Sequence, residues 1–220
     1  MTDLKQLYDT IIEGDALRSK SLTEQALAAG TDPQAIVNQY MIPAMEEVGR
    51  RFESNECFVP ELLIAARAMK SGLELVRPLL SARGAEPVGR VVIGTVRGDL
   101  HDIGKNLVAA MLEGGGFEVV DVGADVPPEK FIAAIKEHQV SIVALSALLT
   151  TTMLSMKTTI EAFKAAGVRD RVKVMIGGAP ITQQFAEEIG ADGYGENANS
   201  AVALARKFVG ASDLIPDQAG

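Results

Sequence analysis

Four short, β-branched runs at residues 90–96, 117–122, 140–145 and 172–176 alternate with stretches of helical period. No other feature restricts the second half of the chain so strongly. The runs are almost continuously apolar, as strands buried on both faces of a sheet are. Helices are expected near 103–114, 127–138, 152–167, 181–189 and 198–209, with a weaker fifth strand at 192–194. Strand–helix alternation implies a parallel sheet, and right-handed crossovers wind it doubly. The expectation is therefore an α/β fold with a doubly wound, five-stranded parallel sheet. Ligands of such sheets bind outside the carboxyl ends of the strands, where the winding reverses.

The first eighty or so residues carry helical period only. Leu4, Leu7, Tyr8, Ile11 and Ile12 share one face of a first helix. A second runs over 15–29 and stops at Gly30. Asp32-Pro33 caps a third, which aligns Val37, Met41, Met45, Val48 and Phe52 and which Pro43 should kink. A fourth starts at Val59-Pro60 and stacks Leu62, Ala66, Met69, Leu73 and Val76. Four such stripes bury together as a four-helix bundle, with Met45 and Met69 in its core. Small and turn-forming residues at 81–88 read as a linker. The expected division is a helical domain at 1–84 and an α/β domain at 85–220.

A net charge of −8, with no basic stripe, argues against a nucleic-acid partner. The longest apolar stretch, residues 142–149, is far too short for a bilayer, and the N-terminal residues show no secretory signal. A cytoplasmic protein with no membrane partner is expected. Cys57 is the only cysteine, which excludes an internal disulfide or a cysteine-built zinc site.

The loops after strands one, three, four and five, at 98–104, 146–152, 177–180 and 195–198, are mostly small or hydroxylic. They contain neither a P-loop nor G-x-G-x-x-G, and Ser146 stands where a phospho-acceptor receiver would carry aspartate. His101 is one of two histidines, with Asp99 two residues before it; His138 is given no role. Taken alone, His101 is either a polar loop residue or a metal ligand whose second nitrogen is held by a carboxylate. Apart from His138, this half holds no further histidine and no cysteine to complete a zinc or iron site. A metal bound here would bring most of its own ligands, as a haem-like or corrin-like macrocycle does. By themselves, Gly177-Gly178 read as a turn and Phe58 as core.

Taken together, these residues resemble the cobalamin-binding domains, whose pattern is D-x-H-x-x-G, S-x-L and G-G. Asp99-x-His101-x-x-Gly104 is followed by forty-one residues, Ser146-Ala-Leu148, twenty-eight residues and Gly177-Gly178. The N-terminal phrases Pro43-Ala-Met-Glu-Glu-Val-Gly49 and Phe58-Val-Pro-Glu-Leu-Leu63 are similar to the helical cap of corrinoid proteins in methyltransferase systems. The resemblance implies a flavodoxin-like, Rossmann-like domain under a methyl cap, with methylcobalamin and cob(I)alamin as alternating cofactor states. His101 would bind cobalt from below, Asp99 would hold its other nitrogen, and Thr152 would stand where relatives carry a serine in that relay. Gly98, Asp99, Leu100, His101, Asp102, Ile103 and Gly104, with Ser146, Leu148, Thr150, Gly177, Gly178 and Ala198, would line the cofactor and its nucleotide tail. Phe58 would cover the upper face, and the linker would let the cap swing aside. The implied partners are a substrate-specific methyltransferase, a second methyltransferase to tetrahydrofolate or a thiol coenzyme, and a reductive activator. A cobalamin module of an adenosylcobalamin-dependent mutase, or a cobalamin sensor, is the alternative.

Overall fold

The computed structural model describes residues 4–82 and 87–210. Most of the expected linker, 83–86, lies outside the described residues. The chain divides into two compact units, Met1–Pro87 with Ala110–Gly116, and Val88–Ala109 with Phe117–Gly220.

The first unit is a helical bundle: α1 (Lys5–Glu13), α2 (Ala16–Ala28), α3 (Pro33–Ile36) continuing into α4 (Ile42–Glu53), and α5 (Val59–Ala82). The caps follow local chemistry. Asp15 accepts from Arg18 N at 3.0 Å and Asp32 from Ala35 N at 3.1 Å, each satisfying an orphan donor of its helix. The irregularity expected from Pro43 takes the form of a π-helical stretch, Val37–Met41, just ahead of it. Pro43 supplies no N–H and its ring crowds the carbonyl four residues back. Ile42 N reaches back five residues to Val37 O, and the widened turn absorbs the misfit. Leu7, Ile11, Met41, Met45, Leu62 and Met69 are buried, so the apolar stripes do face one core.

On α4, Glu47 sits between Arg50 at 2.8 Å and Arg51 at 2.7 Å. Hydrogen bonds from Arg50, then Arg51, lower its pKa from 4.5 to about 2. A depressed folded-state value means that the stabilisation is complete above about pH 4.5 and lost as pH falls toward 2. Glu47→Gln should therefore flatten the acid limb of a stability–pH curve over that window, measured by urea unfolding, and leave the neutral limb parallel to the parent's.

The second unit holds β1 (Arg90–Thr95), β2 (Glu118–Asp121), β3 (Ile142–Ser146), β4 (Lys173–Gly177) and β5 (Gly193–Gly195). They form one parallel sheet in the order β2-β1-β3-β4-β5. The helices between and after them are α6 (Ile103–Gly114), α7 (Pro128–His138), α8 (Leu154–Ala165), α9 (Gln183–Ile189) and α10 (Ala198–Phe208). Alternate strand residues Val92, Val143, Leu145, Val174 and Ile176 pack with Phe131 and Ile135 of α7, Ile160 and Phe163 of α8, and Ile189 of α9. Phe131 and Phe163 meet edge to face with centroids 6.3 Å apart, a geometry worth about 1 kcal/mol beyond area burial. With this strand order the winding reverses between β1 and β3, so the loops that follow those two strands flank the switch point.

Candidate functional site

The loop after β1 begins as a four-residue turn. Asp99 N donates to Val96 O at 3.1 Å, and Gly98 occupies the third position with φ of +87°, the left-handed geometry that a type II turn requires. The turn delivers Asp99 beneath the sheet end, where it is fully buried. There its carboxylate accepts from five donors on two loops. Oδ1 takes His101 N at 3.0 Å and the His101 ring at 2.7 Å; Oδ2 takes Leu148 N at 2.8 Å, Leu149 N at 3.4 Å and Thr152 Oγ1 at 2.6 Å. Burial alone would push this carboxyl up. The Thr152 hydroxyl, the Leu148 and His101 amides and the His101 ring outweigh it and hold Asp99 well below the usual carboxylate range.

A carboxylate saturated in this way acts only as an acceptor, so His101 Nδ1 carries the proton. In the neutral ring the lone pair is then on Nε2, which has no partner among the described residues, and the imidazole is half exposed. Thr152 has one hydroxyl proton and two acceptors in range, Asp99 at 2.6 Å and Leu149 O at 3.0 Å. The shorter bond to the charged group takes it. Its extra methyl lies beside the Gly98 turn, 3.8 Å from where a Cβ on Gly98 would stand. The structure thus brings Asp99, His101 and Thr152 into one hydrogen-bonded line.

Around this line the loops hold large aliphatic side chains outward. Leu100 is 77% exposed and Ile103 78%, and Leu148, Leu149 and Leu154 are also exposed. Several large apolar groups exposed near one site mark a binding surface. At the end of β4, Gly178 has φ of +131°, and a Cβ there would stand 1.9 Å from Ala147 O. The pair Gly177-Gly178 therefore lets the β3 and β4 loops close together, with Ala147 N donating to Gly177 O at 3.2 Å. Ser146 is half-buried at the end of β3, Ala198 is buried at the start of α10, and Asp102 and Gly104 are exposed beside His101. Thr150 is exposed and makes no side-chain hydrogen bond among the described residues. In the helical unit Phe58 is 64% exposed, so the reading of it as core is corrected. It precedes α5, where no apolar layer covers it.

Three residues that hold the site were not singled out from the sequence. Thr95, fully buried at the end of β1, donates to His101 O at 2.9 Å. Lys105, buried on α6, pairs with Asp121 and donates to Asn106 at 2.6 Å; Asn106 in turn donates to Asp102 at 3.2 Å. Asp125, in the loop after β2, accepts from Gly98 N at 2.7 Å. The available signals were a hydroxyl ending an aliphatic strand, and acidic residues flanking Gly123.

No group of three or more His, Cys, Asp or Glu side chains able to hold a bare ion occurs among the described residues. The donor set is one imidazole nitrogen, backed by a buried carboxylate and flanked by aliphatic side chains. That set fits a metal already caged in a wide apolar ring, and it defines a macrocycle-binding domain. The chain matches the B12 binding domain over residues 89–203 and a second B12 binding domain family over residues 3–77. It is 46% identical to trimethylamine corrinoid protein 1 of Methanosarcina acetivorans, over 90% of this chain and 93% of that one. It is 43% identical to the dimethylamine corrinoid protein of Methanosarcina barkeri, over 94% and 97%. The crystal structure of the methanol:cobalamin methyltransferase complex of M. barkeri superimposes with a TM-score of 0.82 at 31% identity, covering 93% of this chain and 78% of that chain. The chain belongs to the corrinoid proteins of methyltransferase systems. Its cofactor is a corrinoid, and it is a methyl carrier that serves methyltransferases.

Proposed function

We propose that His101 is the protein's ligand to cobalt, through Nε2, and that Asp99 and Thr152 set its proton and orientation. The observation that carries this reading is the 2.7 Å bond from the ring to buried Asp99, which commits the proton to Nδ1 and leaves Nε2 bare in a half-exposed ring. When bound, the corrinoid supplies a cobalt centre that takes up and releases a methyl group. The residues of the chain do the rest. Asp99 orients the imidazole through Nδ1, and a hydrogen-bonded partner of this kind raises ligand basicity. Thr152 and the Leu148 amide hold the carboxylate still while the ring binds or lets go. Leu100, Ile103 and Leu148 offer apolar cover, and Gly177 and Gly178, having no side chain, would let a nucleotide tail approach the backbone at the end of β4. Phe58 would shield the upper face.

In this reading the carrier is cytoplasmic and takes its methyl group from a substrate-specific methyltransferase. It passes the group to a second methyltransferase that uses tetrahydrofolate or a thiol coenzyme, and a reductive activator keeps it competent. A methylated amine is the proposed donor class, supported by 46% identity to a trimethylamine corrinoid protein and 43% to a dimethylamine one.

The test is His101→Ala, reconstituted anaerobically with hydroxocobalamin. The visible spectrum should lose the histidine-coordinated signature while the protein still binds cofactor through its loops. A variant whose spectrum matches the parent's would overturn the assignment.

A further inference from the structure

We propose that Asp125, in the loop after β2, is a positioning residue for the His101 ligand; this rests on the reading of His101 given above. Asp125 lies on neither loop that carries the Asp99, His101 and Thr152 line, and nothing in the D-x-H-x-x-G, S-x-L and G-G pattern includes it.

Its geometry is specific. Asp125 adopts a φ of +53°, in the left-handed region that only a few per cent of non-glycine residues occupy. That conformation turns its amide and its carboxylate toward the same stretch of chain. The amide donates to Asp99 O at 2.9 Å, and Oδ1 accepts from Gly98 N at 2.7 Å. One residue thus grips the type II turn at two consecutive positions, on opposite polarities of the backbone. The grip is itself anchored. Val126 N donates to Thr95 O at 3.0 Å, Thr95 N donates to Gly123 O at 2.9 Å, and Val96 and Val126 form a parallel bridge. A left-handed conformation in a residue with a side chain persists where the surroundings over-determine it, and such places cluster at functional sites.

The consequence runs through Asp99. Its main chain is fixed from the β2 side by Asp125, and its carboxylate is fixed from the β3 side by Leu148 and Thr152. With both ends held, the Asp99 side chain has one position, and so has the imidazole on Oδ1. Without the Asp125 carboxylate, Gly98 N is exposed to water and the turn gains freedom that it must lose each time Nε2 coordinates. Preorganisation of this kind governs the strength of a ligand bond more than the number of contacts does.

Two substitutions separate the backbone from the carboxylate. Asp125→Gly tolerates the left-handed φ but has no acceptor for Gly98 N. Asp125→Asn also tolerates it, and its amide oxygen still accepts. Both are reconstituted with hydroxocobalamin beside the parent and His101→Ala. The fraction of bound cofactor in the histidine-coordinated form is read from the visible spectrum. Exchange at the Gly98 amide is followed by NMR in the cofactor-free protein. The expected result is a roughly tenfold fall in the histidine-on equilibrium for Asp125→Gly, about the loss of one charge-assisted hydrogen bond. Gly98 exchange should quicken by a similar factor, and Asp125→Asn should restore both. Asp125→Gly with parental histidine coordination, while His101→Ala loses it, would overturn the proposal and leave the His101 reading standing. Parental spectra in all variants, His101→Ala included, would overturn both.

Discussion

Asp99→Ala should unfold at a clearly lower urea midpoint than the parent, with a loss of about 3 kcal/mol or more. Removing the carboxylate takes the acceptor from five donors at once: two from His101, the amides of Leu148 and Leu149, and the Thr152 hydroxyl. The half-exposed ring can turn to water and the Thr152 hydroxyl to Leu149 O, but the His101, Leu148 and Leu149 amides faced a fully buried acceptor. Each buried group left unpaired costs about 1–3 kcal/mol. Asp99→Asn should rescue little, because both carboxylate oxygens face donors. Whichever side the amide nitrogen takes, it opposes N–H or O–H groups. The measurement is equilibrium unfolding of the cofactor-free protein, so the outcome does not depend on cobalt chemistry. An Asn variant as stable as the parent would show that one oxygen is expendable, against the geometry.

The second large effect belongs to Gly178. In Gly178→Ala the new Cβ would stand 1.9 Å from Ala147 O and 2.9 Å from Ala147 C, which are backbone atoms of the β3 loop with no rotamer to swing away. One loop must shift, and the shift opens the pairing at Ala147 N and Gly177 O. We expect a loss of more than about 2 kcal/mol and failure to retain corrinoid on gel filtration. Gly123→Ala is the matched control: its φ is +95°, also left-handed, but nothing lies within 4 Å of the added methyl. It should lose only the conformational part, about 1 kcal/mol. Equal losses in the two variants would assign the whole effect to φ and none to the close approach.

The order and type of the elements were legible because burial writes a period into the chain. All five strands fall within two residues of their expected limits, including β5, which is only Gly193–Gly195. The helices that follow them agree as closely, because their caps are local: Thr182 and Asn197 each accept from a backbone amide three residues on. What the period does not encode is which strands are neighbours. The loops after strands one, three, four and five are conspicuous for small residues. The loop after β2 becomes informative only once β2 is known to lie beside β1. Asp125 and Thr95 escaped notice for that reason, since both act on backbone groups of other segments. Asp99 and His101 stood out in the sequence and the family resemblance pointed to Thr152, but the five-donor saturation of the carboxylate was not legible. Pro43 was legible as a disturbance and not as a π turn, because the chain can answer a missing N–H in several ways.

The outward-facing Leu100, Ile103, Leu148, Leu149 and Leu154 carry a last consequence. The exposed part of these side chains adds to stability only when something covers it. Part of this chain's stability is thus deferred to its ligand and returned by mass action, about 2.7 kcal/mol when free ligand exceeds its dissociation constant a hundredfold. The unfolding midpoint of the protein should therefore rise with the concentration of free corrinoid, while that of the bare chain stays fixed.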